Sequence, residues 1–143
     1  MSTRCEWLAP ETIGEALALK AERGEEATVL AGGTFLGILV NQRLFAPSCL
    51  LGIGRIPGLD GIEVTGGELR LGAMVRHRAV ERSGAVRDGW PALAHAFSVV
   101  ASPRVRNQAT VGGVLADADY ASDPPAILCA LGARAVARSA RGE

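Results

Sequence analysis

The 143-residue chain changes its hydrophobic rhythm several times. Ile13, Ala16, Leu17 and Ala21 recur at helical spacing and would share one face of a helix. Thr12 and Glu15, with Pro10 just upstream, form a capping-box start, and Gly24 is a natural stop. Residues 27–31 are a short, nearly continuous apolar run of the kind a buried strand carries. Gly32-Gly33-Thr34 interrupts it, a second helix is expected over about 34–43, and another strand over 48–53 after Pro47. Past Gly54 the rhythm becomes alternating. Residues 61–65 and 68–71 alternate polar and apolar, and Gly66-Gly67 joins them, which is a hairpin signal. A short helix is predicted over 78–84 and a longer one over 90–100, with Pro91 near its first turn and Ser102-Pro103 as its break. Thr110-Val111-Gly112-Gly113 reads as a second strand running into a glycine loop. Pro124-Pro125 opens a helix toward Leu131 that Gly132 closes, and residues 133–137 look like the start of a strand with no partner after it. The whole pattern predicts an α+β protein with an internal boundary near Arg55, giving lobes over 1–54 and 55–143.

Composition narrows the function classes. Fifteen basic and fifteen acidic residues cancel, which argues against a nucleic-acid or anionic-membrane binder held by bulk charge. The hydrophobic share of 48% supports a packed core and excludes disorder as the dominant state. The aromatics are only Trp7, Phe35, Phe45, Trp90, Phe97 and Tyr120, too few for a base-stacking platform. Cys5, Cys49 and Cys129 are scattered, with no CxxC and no zinc spacing, so they read as reduced thiols that ligate neither zinc nor an iron–sulfur cluster. The N-terminus lacks the apolar core of a signal peptide, and no stretch reaches the ~18 apolar residues of a spanning helix. The expectation is a cytoplasmic protein.

The glycine loops carry the candidate chemistry. Gly32-Gly33-Thr34 lies between a predicted strand and helix, where glycines admit positive φ and successive free amides can form an anion-binding concavity. A plain tight turn is the competing reading. The spacing is neither GxGxxG nor a Walker loop. Gly112-Gly113 is a second loop of the same kind, preceded by Thr110 and followed by Asp117, Asp119 and Asp123. Two such loops could flank a diphosphate between two lobes, with the aspartates accepting hydrogen bonds from sugar hydroxyls or simply forming a solvated turn. Arg104 and Arg106 could steer the diphosphate or pair with a partner subunit, or simply form a solvated face. His77 reads as solvated, and His95 as a packed or surface residue.

At these residues a family becomes recognisable. Leu30-Ala31-Gly32-Gly33-Thr34-Phe35-Leu36 resembles the AGGTDL loop of the FAD-binding medium subunit of molybdenum hydroxylases, the carbon monoxide dehydrogenase and xanthine dehydrogenase type. Arg106-Asn107-Gln108-Ala109-Thr110-Val111-Gly112-Gly113 resembles that family's RNRGTIGG segment, and residues 116–125 its AHADPASDLP segment. Residues 51–59 resemble a VDIGRIPEL connector. The resemblance covers nearly the whole chain in order. It implies a PCMH-type FAD-binding fold, with a small N-terminal α/β lobe and an incomplete second α+β lobe. It further implies that Ala31, Gly32, Gly33, Thr34, Phe35 and Leu36 take the FAD diphosphate from one side. Thr110, Val111, Gly112 and Gly113 would take it from the other, with Ser122 and Asp123 further along the cofactor. No residue of this chain would be catalytic, and none would hold a metal. Electrons would come from a molybdopterin-binding large subunit through the 2Fe-2S clusters of a small subunit, and leave FAD for NAD or a quinone-like acceptor. The chain departs from the family at Phe35, Val114, Asp117 and Tyr120, and in being about half as long. A truncated chain that serves as a non-catalytic interaction module without FAD is the alternative. An unpaired strand over 133–137 would make it self-associate.

Overall fold

The structure, a computed structural model, describes residues 5–119 and 121–143. Tyr120, within the third family-like segment, lies outside them. The chain divides into two compact units.

The first unit holds the described residues up to Ala31, together with Phe35–Pro57 and Arg134–Glu143. Strands β1 (Glu6–Leu8), β2 (Ala27–Leu30) and β3 (Cys49–Gly52) form a parallel sheet in the order β1-β3-β2. Leu8 pairs with Leu51, and Val29 pairs with Leu51 from the other side. Parallel strands need crossovers, and helices α1 (Ile13–Arg23) and α2 (Leu36–Asn41) lie in the connections. The Thr12 hydroxyl accepts from the Glu15 amide at 3.1 Å, and the Glu15 carboxylate accepts from the Glu11 amide at 2.9 Å. These bonds satisfy amides that a helix start leaves orphaned. Gly24, at φ +56°, ends α1. Its buried face differs by one position from the expected one: Leu19 packs on the core of Ala27, Cys49 and Leu51, while Ala21 is exposed. β1 gave no periodic signal because it is three residues long with Trp7 58% exposed.

The expected strand over 133–137 does not form. That stretch has no regular structure, and the pairing near it is a bridge between Ser139 and Gly142, with backbone bonds of 2.8 and 3.1 Å. Its alternating residues are small alanines, and Val136 stays 70% exposed, so burial offers a strand little there.

The second unit comprises Gly32–Thr34 and Gly58–Ala133. Strands β4 (Ile62–Thr65) and β5 (Glu68–Leu71) form the predicted hairpin, with Thr65 opposite Glu68. Gly66 and Gly67 both take positive φ, +61° and +81°, as a two-residue turn of matching twist requires. Five helical segments follow before the acidic stretch: α3 (His77–Arg82), α4 (Gly84–Gly89), α5 (Pro91–Val99), α6 (Pro103–Arg106) and α7 (Val111–Asp117), then α8 (Asp123–Ala130). Val75, Val80, Val86, Leu93, Ala94, Phe97 and Val111 form the core, with Ile127 and Leu128 of α8 against it. α4 and α6 extend the prediction. Each begins at a serine, Ser83 or Ser102, whose hydroxyl accepts the amide three residues on. One expectation is overturned: Thr110 does not end a strand before a loop. It is the N-cap of α7, and Gly112 and Gly113 lie in that helix's first turn. The architecture as a whole is α+β.

Candidate functional site

Gly32, Gly33 and Thr34 belong with the second unit. A Cβ on Gly32 would collide with the Gln108 carbonyl oxygen and stand 3.2 Å from the Ala109 Cα. Backbone therefore lies directly on backbone there, and only glycine fits. Gly33 takes φ +69°, the left-handed region. Among the described residues, the amides of Gly32, Gly33 and Thr34 meet no hydrogen-bond acceptor. Three successive amides are thus left for a ligand. Ala31, Phe35 and Leu36 belong with the first unit, where Phe35 is 49% exposed at the start of α2.

The second glycine segment is built differently. The amides of Val111 and Gly112 donate to Val75 (2.9 Å) and Ala73 (2.8 Å). The Gly113 amide donates to the Thr110 hydroxyl at 3.0 Å, and the Val114 amide to the Thr110 carbonyl at 3.1 Å. All four amides are already paired inside the chain. Gly112 is glycine because a Cβ would meet Ala73, at 2.7 Å from its Cβ and 2.8 Å from its oxygen. Among the described residues, the amides of Val111 to Val114 are therefore committed and those of Gly32 to Thr34 are not, and Gly32 sits against the approach to the second segment at Gln108 and Ala109.

That approach is held by two consecutive residues. A guanidinium nitrogen of Arg76 donates to the Gln108 carbonyl. The His77 amide donates to the Ala109 carbonyl at 2.9 Å. The His77 ring nitrogen Nε2 lies 3.2 Å from the Thr110 carbonyl. Three successive carbonyls are gripped in turn. His77, expected to be solvated, is instead 3% exposed, with its ring edge-on to Phe97 at 4.9 Å. A carbonyl only accepts, so Nε2 carries the proton, and Nδ1 is buried with no partner among the described residues. Burial pushes the His77 pKa down, and the Arg106 charge adds to this against the Thr110 bond.

Arg106 is likewise structural. Its guanidinium is nearly buried and donates to Glu81 at 3.0 Å and to the Val100 and Ala101 carbonyls at 3.1 and 2.7 Å. Arg78 meets the other Glu81 oxygen at 2.6 Å. Burial alone would raise the Glu81 pKa, but hydrogen bonds from Arg78 and Arg106 outweigh it and hold the carboxyl below its usual range. Arg104 is exposed, as is His95.

Ser122 is the N-cap of α8, its hydroxyl capping no amide, and Asp123 is exposed in the first turn beside it. α8 packs against α7. Burial and the neighbouring Asp119 raise the Asp117 pKa. The Asp119 carboxylate accepts from the Ala121 amide at 2.9 Å, a local turn bond. Among the described residues, no group of three or more His, Cys, Asp or Glu could hold a metal, and no helix is long and apolar enough to cross a membrane.

Sequence reasoning missed Arg76 and Gln108. The available signal was slight: a cation and a histidine directly after the apolar pair Met74-Val75, where the hairpin gives way to a helix.

Comparison with known proteins adds a family, two relatives and a solved structure. A family described as the FAD binding domain in molybdopterin dehydrogenase matches residues 3–143. The 6-hydroxypseudooxynicotine dehydrogenase complex subunit alpha of Paenarthrobacter nicotinovorans is 37% identical over 138 residues, 96% of this chain and 47% of that protein. The carbon monoxide dehydrogenase medium chain of Hydrogenophaga pseudoflava is 37% identical over 139 residues, 97% of this chain and 48% of that one. A solved structure of the carbon monoxide dehydrogenase from Hydrogenophaga pseudoflava, in a form lacking the Mo-pyranopterin moiety, superposes with a TM-score of 0.84 at 38% identity. It covers 89% of this chain and 44% of its own. The chain spans about half the length of the curated relatives it matches.

Proposed function

The chain belongs to the family of FAD-binding domains of molybdopterin dehydrogenases, and from that premise we propose that it binds FAD as the flavin-bearing part of a molybdenum-dependent dehydrogenase. The observation that carries this reading is the first glycine loop: three free amides, one at a glycine whose place no side chain can take. These groups fit a diphosphate, which needs donors and close backbone approach. Gly32, Gly33 and Thr34 would hold it through their amides, and Thr34 through its hydroxyl as well. On the resemblance of residues 30–36, Ala31, Phe35 and Leu36 are proposed as further cofactor-binding residues. Thr110, Val111, Gly112 and Gly113 would shape the wall beside it, with the amides of Val111, Gly112 and Gly113 already paired. Among the described residues, the Ser122 hydroxyl caps no amide and the Asp123 carboxylate meets no cation, which suits the sugar hydroxyls of the cofactor. The flavin, when bound, supplies the redox chemistry, and the chain's part is to hold and orient it.

Partners follow from the same reading. A molybdopterin-binding large subunit and a 2Fe-2S small subunit would feed electrons to the flavin, with NAD or a quinone-like compound as acceptor, in a cytoplasmic complex. The deciding experiment is titration of the 143-residue chain with FAD, followed by flavin fluorescence and the visible absorption band. Saturable one-to-one binding is expected. A second reading, an interaction module without FAD, is favoured by the internal pairing of the amides of residues 111–114 and by the apolar Phe35. No binding in the titration would select it.

A further inference from the structure

We propose that Arg76 is the cation that faces the cofactor's diphosphate, an assignment that rests on the FAD reading above. The Gln108 carbonyl oxygen is the pivot. It lies against Gly32, and it accepts a hydrogen bond from the Arg76 guanidinium. The guanidinium is thus one hydrogen bond away from the loop that carries the three free amides. A guanidinium has five N–H donors, and the Gln108 carbonyl takes one of them.

The charge balance of the second unit points the same way. Arg78 and Arg106 both pair with Glu81. Among the described residues, Arg76 has no carboxylate within ion-pair distance. It is half-buried, so its field is less screened than that of an exposed arginine. A diphosphate on the amides of Gly32, Gly33 and Thr34 would bring negative charge to this cation, and the planar fork matches two phosphate oxygens at once. Amides alone orient an anion, whereas a guanidinium also neutralises it.

The bland alternative is that Arg76 only props up the Gln108 carbonyl. Binding of FAD and of inorganic pyrophosphate to wild type, Arg76→Gln and Arg76→Lys, alongside the ligand-free melting temperature of each, separates the two. Arg76→Gln keeps a donor for Gln108 and removes the charge. It is expected to fold and to weaken both ligands by about tenfold or more, the effect of one charge-assisted pair. Arg76→Lys keeps the charge without the fork and should fall between. Wild-type affinity for pyrophosphate should also drop as salt is raised. Should Arg76→Gln fail to fold, Arg76→Lys and the salt dependence decide: wild-type-like affinity in Arg76→Lys together with salt-independent binding overturns the assignment. Wild-type-like affinity for both ligands in a folded Arg76→Gln overturns it and leaves the FAD reading standing. Pyrophosphate binding that depends on Arg76, in a wild type that does not take FAD, overturns the FAD reading and keeps the anion site. Binding of neither ligand by wild type overturns both.

Discussion

Gly32 and Gly112 are both closed to side chains, by different neighbours. Gly32 must be glycine where its backbone lies on the Gln108 carbonyl, and Gly112 where a helix start packs on Ala73. Gly112→Val should therefore act on the fold, lowering stability by about 1–3 kcal/mol through overpacking, as read by urea denaturation. Gly32→Ala should displace the loop from Gln108 and lose FAD affinity well beyond any change in its urea midpoint. His77 gives a pH signature. Its folded pKa lies below the ordinary 6.5, so the unfolded chain binds the proton more readily. Stability should be full above that value, fall as pH drops through it, and level off below the folded pKa. Urea midpoints between about pH 5 and 8 check this, and His77→Gln should flatten the curve. These placements were not readable in the sequence. A glycine is the same letter whether the Gln108 carbonyl or Ala73 approaches it, and a histidine between two arginines looks solvated until Phe97 and Thr110 close over it.

At the scale of elements, the local signals held where local physics decides. The Thr12–Glu15 cap, the Gly66-Gly67 hairpin and the proline start of α8 all form as their residues dictate. The pattern failed where contacts distant in sequence decide. Thr110-Val111-Gly112-Gly113 has the β-branched residues of a strand and the glycines of a loop. Yet the Ala73 and Val75 carbonyls take its amides, and the Thr110 hydroxyl caps a helix. Residues 133–137 have strand-like length but alanines too small to gain from pairing. The self-association expected from an unpaired strand there loses its basis. Glu81 joins α3 to α6 through Arg106, and its removal would strand a nearly buried guanidinium. Glu81→Ala should cost about 3 kcal/mol in urea denaturation. Because the Glu81 pKa is depressed, the wild-type advantage should be present above about pH 4.5 and disappear as pH falls through the folded value.

At the scale of the whole molecule, family, fold class and the order of the motifs were legible, because they are carried by whole segments: residues 30–36, 51–59, 106–113 and 116–125. The division of labour between the glycine segments was not, since it depends on which amides find acceptors once the chain has folded. That division has a consequence in time. The amides of Val111, Gly112 and Gly113 are bonded within the folded chain, so deuterium should enter them only when this part of the second unit opens. Those of Gly32, Gly33 and Thr34 are bonded to nothing among the described residues and should exchange within seconds in the ligand-free protein. Adding FAD should slow the first trio by orders of magnitude and leave the second nearly unchanged, as read by exchange mass spectrometry or NMR. Equal slowing of both would mean that the cofactor orders the whole unit, and no slowing that it binds elsewhere. The protein would then carry a clock of two speeds, with the cofactor stopping only the fast hand.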